Sequence, residues 1–533
     1  MSGPADTLVA SIRTEPRSFN RYIARDLTTT VVTYLTHAAL IRIDRVTNQL
    51  EPELAQSWEL LADRRTYRLR LRPNLQFSDG APFSADDVVF SFRAIYGPID
   101  SVLADTLQVR GQPLTVVAED AATVTIRFPS PFGPGLRLLD GVPMYPRHRL
   151  EPALDAGTFR STWGPSAPPS EMAGLGPFVL RRYEPGQRLT FDRNPYYWQR
   201  GLPKLAHVVL QVVPEQDAEL LQLENGGIDL TQGEVRPSDV PALRRAASAG
   251  RIALADVGVG LDGDLLWLNL TSAKARDPRS RWLQHGDFRR AIAHSIDRRA
   301  FVDTVHLGAA VPADSIVSPG NREWHAEAPA PAYDVPNANR LLASLGLSDR
   351  DGDEMLEDRD GHAVRLTLLT QKGNTSLERG ASVIRESLAQ VGVRVDVVAL
   401  EVGTLIDHVI RGAYDAAYFK LLTTDTDPAL NLDFWLSSGS AHMWNPDQRT
   451  PSTAWEAEID ALMEKVSTTL DTDRRRALFA EVQRIMAREV PVLCFAFPRL
   501  PIAVNSRVAD ARPAPFRPPL LWNPAVIGLR AAP

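Results

Sequence analysis

Helix and strand patterns alternate along the whole chain, and this alternation constrains the fold more than any other feature. Apolar residues recur at spacings of four and three from Leu377 to Val391, which predicts one face of an amphipathic helix. Thr375 and Glu378 predict a capping box at its start, and Gly392 predicts its end. Val393–Val397 then alternates as a strand does, so this segment is a helix–strand unit.

The first half of the chain repeats the same alternation. Leu8–Ile12 and Tyr67–Arg72 predict strands, the second with strict alternation of apolar residues and arginines. Ser84 and Asp87 predict a capping box for a helix from Ala85 to Tyr96. Strands that alternate with helices throughout predict a mixed α/β fold.

The length of the chain limits the number of domains, and its charge limits the classes of partner that we expect. At about 150 residues per domain, 533 residues predict three or four domains or lobes. The chain carries 59 basic and 65 acidic residues, a formal net charge of -6, without a concentrated basic patch. Nucleic-acid binding needs such a patch, so we expect no nucleic-acid partner.

The chain has one cysteine, Cys494, so it forms no intrachain disulfide. This residue lies in the apolar run Val490–Phe497, which predicts a buried side chain. No stretch of about 20 apolar residues is present, so we expect no membrane-spanning helix. The start, Met1–Asp6, has no apolar central region of a signal peptide, so we expect the export signal to be absent from this chain.

Common catalytic signatures are absent from the sequence. It has no Gly-x-Ser-x-Gly elbow, no Gly-rich phosphate loop ending in Gly-Lys-Ser/Thr and no His-Glu-x-x-His, and its ten histidines are scattered. Carboxylates are plentiful, so an acid–base pair without a sequence signature stays open. The sequence therefore favours a binding protein over an enzyme, with no catalytic residue, no metal ligand set and no cofactor.

One acidic segment resembles a calcium loop. Asp349, Asp351 and Asp353 occupy the first, third and fifth positions, and Asp360 occupies the twelfth. The glycine that such a loop needs at its sixth position is replaced by Glu354. Two interpretations stay open, an exposed turn and a weak calcium site.

Seven sequence blocks follow one another in order along the chain. They are Pro52–Trp58 with Leu71–Val88, Gly174–Phe178, Arg193–Trp198, Gly227–Asp229, Leu266–Asn269, Phe288–Ala293 with Asp297–Arg298, and Asp425–Pro428. Together these blocks resemble the peptide/nickel family of solute-binding proteins of ABC importers, and the resemblance covers essentially the whole chain.

This resemblance implies a two-lobed periplasmic-binding-protein clamshell, similar to type II, with an extra domain inserted in its large lobe. It implies that lobe I consists of residues 1–40, 175–262 and 500–533, that the inserted subdomain is 41–174, and that lobe II is 263–499. It also implies that a hinge motion closes the lobes on the ligand.

The function implied by the resemblance is extracytoplasmic capture of a short peptide and its delivery to the permease and ATPase subunits of an ABC importer. The expected location is the periplasm or another extracytoplasmic space, with membrane contact only through the permease or a lipid anchor absent from this chain. Two alternatives stay open. One is another solute on the same fold, such as a nickel chelate, an oligosaccharide, haem or an opine, and the other is a ligand sensor without transport.

The resemblance also implies which residues bind the ends of a peptide. In peptide-binding members an aspartate of the last block pairs with the ligand ammonium, which makes Asp425 the first candidate and Asp427 the second. The alternative role of Asp427 is a turn cap before Pro428. The strand before the capped helix places Lys372 as the partner of the ligand carboxylate, although an arginine is expected there and lysine lacks its planar two-point contact.

Aromatic and amide side chains complete the predicted site. Trp267 and Asn269 lie where the chain enters the second lobe, and their alternative role is packing at the hinge. Phe19 belongs to a turn after the first strand, where family members expose backbone groups to the ligand. Trp444 follows the aspartate block and is expected either to line the cleft or to pack at the surface.

Overall fold

The computed structural model describes residues 6–271, 277–423 and 425–530, apart from the side chains of Pro278 and Ser280. The chain divides into two compact units. Unit 1 comprises Met1–Val257 and Pro501–Pro533, and unit 2 comprises Gly258–Leu500. The mixed α/β class and the presence of two units confirm the predicted fold class, whereas the finer division into an inserted subdomain stays a prediction.

The strands and helices alternate through both units. The strands are β1 (Thr7–Ile12), β2 (Ile41–Ile43), β3 (Leu50–Pro52), β4 (Ala55–Leu60), β5 (Thr66–Leu71), β6 (Gln108–Val109), β7 (Gln112–Pro113), β8 (Thr115–Asp120), β9 (Thr123–Arg127), β10 (Phe178–Glu184), β11 (Arg188–Arg193), β12 (His207–Val212), β13 (Ile252–Val259), β14 (Asp264–Leu268), β15 (Ala310–Pro312), β16 (Arg365–Gln371), β17 (Arg394–Leu400), β18 (Ala416–Lys420), β19 (Val492–Cys494), β20 (Ala496–Asn505), β21 (Val508–Ala509) and β22 (Gly528–Leu529).

The α-helices are α1 (Leu27–Thr36), α2 (Ala85–Tyr96), α3 (Arg147–Asp155), α4 (Gln216–Glu224), α5 (Val240–Ser248), α6 (Pro278–Gln284), α7 (Gly286–His294), α8 (Arg298–Val305), α9 (Val335–Ser344), α10 (Thr375–Ala389), α11 (Val402–Ile410), α12 (Leu432–Trp435), α13 (Ala454–Thr468) and α14 (Thr472–Glu489). Among the described residues, no helix combines the length and the apolar character that crossing a membrane requires.

Two four-stranded sheets organise unit 1. One has the order β1-β12-β11-β10, with β1 parallel to β12 and the other pairs antiparallel. The other is the antiparallel sheet β4-β5-β9-β8, on which α2 packs. A capping box formed by Ser84 and Asp87 starts α2, as the sequence predicts.

A five-stranded sheet with the order β17-β16-β18-β14-β19 forms the centre of unit 2. β16 runs parallel to both β17 and β18, whereas β14 is antiparallel to β18 and β19. Apolar faces of the surrounding helices cover this sheet and form one continuous core with it. Cys494 is buried in this core, as the sequence predicts.

The structure corrects one predicted helix start. Asn374, not Thr375, caps α10 by accepting a hydrogen bond from the backbone N–H of Leu377. Two other helices of unit 2 differ in their caps. α7 begins after His285 and lacks a side-chain cap, whereas Asp334 caps α9 by accepting a hydrogen bond from the backbone N–H of Asn337. Caps depend on local backbone angles, and sequence spacing alone defines them only to within a few residues.

Several of the seven blocks serve the scaffold. Gly176 lies against the end of α1, where a Cβ atom at residue 176 would come within 2.5 Å of the backbone nitrogen of His37. Asp229 is fully buried and forms an ion pair with Arg507 at 2.7 Å, which ties two distant segments of unit 1 together. These blocks therefore report how unit 1 is assembled.

We expect Gly176→Ala to lower the free energy of unfolding by about 1–3 kcal/mol, because the added methyl overlaps backbone atoms that a rotamer change cannot move. Urea denaturation monitored by tryptophan fluorescence measures the change. Gly164→Ala is the matched control in unit 1, since its Cβ would meet no atom closer than 3.9 Å. Equal stability of the two variants would contradict the close approach.

Candidate functional site

A pocket of about 100 Å³ lies within unit 2, where β14 begins and β18 ends. These two ends share one edge of the sheet because the strands are antiparallel, with Asp264 opposite Lys420. The apolar lining residues are Leu261, Gly263, Leu265, Ile316, Val317, Leu421, Leu422, Pro428, Phe434, Trp435 and Phe479. The polar lining residues are Ser318, Asn321, Thr423, Asp425, Thr426 and Asn431.

Asp425 is the sole residue with a formal charge among the described residues that line this pocket. Its carboxylate Oδ1 accepts a hydrogen bond from the backbone N–H of Asp427 at 2.8 Å. The amide of Asn431 donates to the backbone carbonyls of Asp425 and Asp427 at 2.9 and 3.1 Å. These bonds fold the loop so that one carboxylate belongs to a largely apolar wall.

Side-chain bonds to backbone groups hold the pocket walls together. The Ser318 hydroxyl donates to the carbonyl of Gly260 at 2.5 Å, and the Asn321 amide donates to the carbonyl of Thr426 at 2.9 Å. A carboxylate oxygen of Asp262 accepts from the backbone N–H of Thr423 at 2.7 Å. Segments far apart in sequence are thus fixed to each other and together form the pocket walls.

Asp427 has a different environment from Asp425. It is buried, and both of its carboxylate oxygens accept hydrogen bonds from the Arg475 guanidinium at 2.5 and 2.8 Å. It also accepts from the backbone N–H of Ala429 and so caps the short helix that follows. The turn-cap role that the sequence offered as an alternative is therefore present in the structure.

Arg475 makes two further contacts that fix its position. Its Nε donates to the carbonyl of Val466 at 2.8 Å, and its guanidinium lies 4.8 Å from the ring centroid of Trp324. A two-point pair of this kind fixes orientation as well as distance. Arg475 thereby anchors the loop that carries Asp425 to helix α14.

Trp267 and Trp444 are fully buried behind the pocket wall. Phe434, which lines the pocket, has its ring centroid 5.8 Å from that of Trp267 and 5.4 Å from that of Trp444. Trp267 also stacks on Phe419 at 5.4 Å. The two tryptophans therefore support Phe434 from within the core. Trp444 is buried and not packed at the surface, and a role of either tryptophan in binding stays a prediction.

The remaining predicted residues lie outside the pocket lining. The Asn269 amide donates to the carbonyls of Gly412 and Tyr414 at 2.9 and 2.6 Å, which fixes a backbone turn. Phe19 belongs to unit 1, where it is buried and meets the Tyr183 ring edge-on at 5.6 Å.

Lys372 is exposed and lies 3.5 Å from Glu401. It directly follows β16, whose carboxyl end shares a sheet edge with that of its parallel neighbour β18. It does not line the pocket, so its predicted role at the ligand carboxylate stays a prediction.

The sequence did not identify most of the apolar wall. Ile316–Asn321 carries no motif, and Phe479 reads as an ordinary residue of an amphipathic helix. The one available signal was Leu421-Leu422, two large apolar residues placed between a buried strand and the acidic block. Contacts between distant segments, which periodicity does not encode, create the rest.

Behind the pocket, β14 carries a buried ion pair. The Asp264 carboxylate lies 2.5 Å from Nε2 of His306, and Lys420 lies 3.8 Å from its other oxygen. Burial alone would raise the pKa of Asp264, but the hydrogen bond with His306 and the charge of Lys420 bring it below its usual value. The contact between Asp264 and Lys420 joins β14 to β18, the two strands whose ends form the pocket edge.

The acidic loop at Asp349, Asp351 and Asp353 is exposed, and its carboxylate oxygens lie within 4.8 Å of one another. Asp349 accepts hydrogen bonds from the backbone N–H groups of Gly352 and Glu354, and Asp353 accepts from that of Met355. This is the bonding of a tight turn. Calcium binding there stays a prediction.

A pocket with largely apolar walls and a single carboxylate is suited to binding a small ligand. The described lining residues include no histidine, cysteine or lysine. Residues 49–442 match the family described as bacterial extracellular solute-binding proteins, family 5 Middle. The chain therefore belongs to the bacterial extracellular solute-binding proteins of family 5, as the sequence blocks indicated.

Comparisons with individual proteins agree with this assignment. The chain is 25% identical to the probable D,D-dipeptide-binding periplasmic protein DdpA of Escherichia coli strain K12, over 95% of this chain and 91% of that protein. The Bacillus subtilis oligopeptide-binding protein AppA, solved with a nonapeptide, has a TM-score of 0.74 and 21% identity, over 98% of this chain and 99% of that one. NikA from Brucella suis, solved with Fe(III)-EDTA, has a TM-score of 0.79 and 19% identity, over 98% of this chain and 99% of that one.

A buried carboxylate holds the segment behind Trp444. Glu456 accepts hydrogen bonds from Gln448 and Thr453 and lies 3.2 Å from Nε2 of His442. The His442 ring lies against Trp444 in a tilted arrangement, with 3.8 Å between the ring centroids. Burial alone would raise the pKa of Glu456, but these hydrogen bonds lower it to about 2. A depressed pKa stabilises the fold above the unfolded value of 4.5, and this contribution is lost as the pH falls toward 2.

We expect Glu456→Gln to be less stable than the unaltered protein by about 3 kcal/mol at pH 7, and the difference to shrink as the pH falls from about 4.5 to 2. In that range the native carboxyl becomes neutral, as the amide already is. Urea unfolding of both proteins at pH 7, 5 and 3 measures it. A stability difference that does not change with pH would contradict the assigned pKa.

Proposed function

We propose that this protein binds the amino-terminal end of a short peptide outside the cytoplasm and delivers it to an ABC importer. One observation carries the proposal. The pocket of unit 2 presents a single carboxylate, that of Asp425, on walls that are otherwise uncharged and largely apolar. A peptide α-ammonium offers the opposite charge, and its neighbouring side chain offers apolar surface.

Electrostatics favour a cation over an anion in this pocket. Two opposite charges 4 Å apart attract by about 4 kcal/mol at the effective dielectric typical of a protein surface, against about 1 kcal/mol in water. An anionic ligand would meet the negative charge of the Asp425 carboxylate on this wall. Asp262, whose carboxylate binds the backbone of Thr423, adds a second negative charge beside the same loop.

The ligands named for the relatives differ in charge at the group that would meet Asp425. A dipeptide and a nonapeptide carry an ammonium group, whereas Fe(III)-EDTA is an anion. Peptides therefore match the described pocket better than a chelate does. Sugars bring no charge that would pair with Asp425.

Family membership supports the transport part of the proposal. The family consists of solute-binding proteins rather than enzymes, and relatives are named as periplasmic binding proteins and as components of ABC transporters. We propose that the ligand passes to the permease and ATPase subunits unchanged. Closure of two lobes on the ligand stays a prediction.

We expect Asp425→Asn to weaken binding of a free-amino peptide such as Leu-Gly-Gly by more than about tenfold, since the amide keeps the shape and removes the charge. Couplings of close charge pairs of about 1.5–7 kcal/mol support a loss of this size. Isothermal titration calorimetry gives the dissociation constants. A thermal-shift screen of peptides, a nickel chelate and an oligosaccharide precedes it, because a ligand at 100 times its Kd stabilises by about 2.7 kcal/mol.

N-acetylation of the peptide is the complementary change, and it should weaken binding to the unaltered protein but hardly affect binding to the variant. Asp433→Asn is the matched control, because Asp433 is exposed in the adjacent helix α12 and does not line the pocket. Tight binding of acetylated peptides by the unaltered protein would exclude an ammonium site at Asp425.

The predicted role of Lys372 has its own test. If Lys372 binds the ligand carboxylate, then Lys372→Ala and carboxyl-terminal amidation of the peptide should each weaken binding and should not add. Because Lys372 is exposed and already close to Glu401, we expect each change to cost less than about 1 kcal/mol. Losses that add fully would show that the lysine and the carboxylate do not meet.

A further inference from the structure

Leu422 is a large apolar residue of the pocket wall that is unusually exposed. It is 55% exposed, although it is a large apolar side chain that follows a fully paired central strand. Single exposed leucines are common on protein surfaces. This one lines the pocket together with other apolar residues, Leu261, Leu421 and Phe434 among them, so part of its apolar surface belongs to the pocket.

Other segments of the pocket lining are apolar as well. Ile316 and Val317 contribute one segment of it, and Phe479 of α14 contributes another. Two polar donors of the lining are used within the protein, since the Ser318 hydroxyl and the Asn321 amide N–H both donate to backbone carbonyls. Apart from Asp425, the wall thus offers a ligand mainly apolar contacts.

Covalent geometry links the two parts of the pocket. The α-ammonium and the first side chain of a peptide are attached to the same Cα atom, so an ammonium at Asp425 places that side chain against the neighbouring wall. The volume of about 100 Å³ suits one side chain, since a protein cavity of about 150 Å³ holds a benzene molecule. An acidic side chain there would lie near the Asp425 carboxylate, and a basic one would lose hydration and compete with the ligand ammonium for that one carboxylate.

Resting on the proposed ammonium site, we propose that this pocket selects the amino-terminal residue of the ligand, and that it takes aliphatic or aromatic side chains and rejects acidic and basic ones. The ligand class is therefore peptides with an apolar first residue. Leu422 is a specificity-determining residue, because it contributes a large exposed apolar side chain to the lining that also carries the Asp425 carboxylate.

The test compares tripeptides X-Gly-Gly, with X as Leu, Phe, Gly, Lys or Glu, by calorimetry on the full chain. We expect the Leu and Phe peptides to bind about 10- to 100-fold more tightly than Gly-Gly-Gly, which is the gain from burying one such side chain. The Lys and Glu peptides should bind no better than Gly-Gly-Gly.

Leu422→Glu should lower the preference for Leu over Gly at least fivefold and improve binding of the Lys peptide. The side chain is exposed, so the variant should fold, and its unfolding curve checks this. Ile410→Glu is the matched control, since Ile410 is 44% exposed at the end of α11 and outside the pocket lining. It should leave the whole ranking unchanged.

The outcomes separate this inference from the function on which it rests. Equal affinity for all five peptides, together with loss of binding on N-acetylation, would overturn the selectivity and leave the ammonium site standing. An unchanged ranking in Leu422→Glu would overturn the role of Leu422. No dependence on the free amino group in any peptide would overturn the proposed function and this inference with it.

Discussion

The buried pair of Asp427 and Arg475 is the interaction on which the candidate site depends. It joins the loop after β18 to α14 by two hydrogen bonds, and removal of either partner would leave an uncompensated buried charge. A buried ion pair often adds little to the net free energy of folding, but it fixes the positions of the two segments that it joins. Here the arrangement is the placement of the Asp425 carboxylate on the pocket wall.

Asp425 and Asp427, which are separated by one residue, thus have different structural roles. Asp427 is buried, and arginine and a backbone N–H donate to it, whereas Asp425 belongs to the pocket wall. Their sequence neighbourhood is nearly the same, so the difference arises from the side on which α14 packs. The scaffold thus takes up one of the two acids and leaves the other on the pocket wall.

The sequence predicted the fold better than the site. Ser84 and Asp87 cap α2 as predicted, because a capping box is a local pattern. The partners of Trp267 and Trp444 could not be predicted, since burial behind Phe434 depends on the packing of segments far apart in the chain. Asp425 was found only because a whole sequence block resembles a family, not because its spacing requires a binding role.

The sequence by itself determined the alternation of helices and strands, the absence of disulfides and the membership of a solute-binding family, because each of these is written in local patterns or in ordered blocks. Only the tertiary structure decided which acidic residue joins the pocket and which joins the scaffold, and it alone brought Ile316, Leu422 and Phe479 to one wall. The physical reason is that a pocket is made by side chains from separate segments, whose meeting depends on the packing of the whole unit.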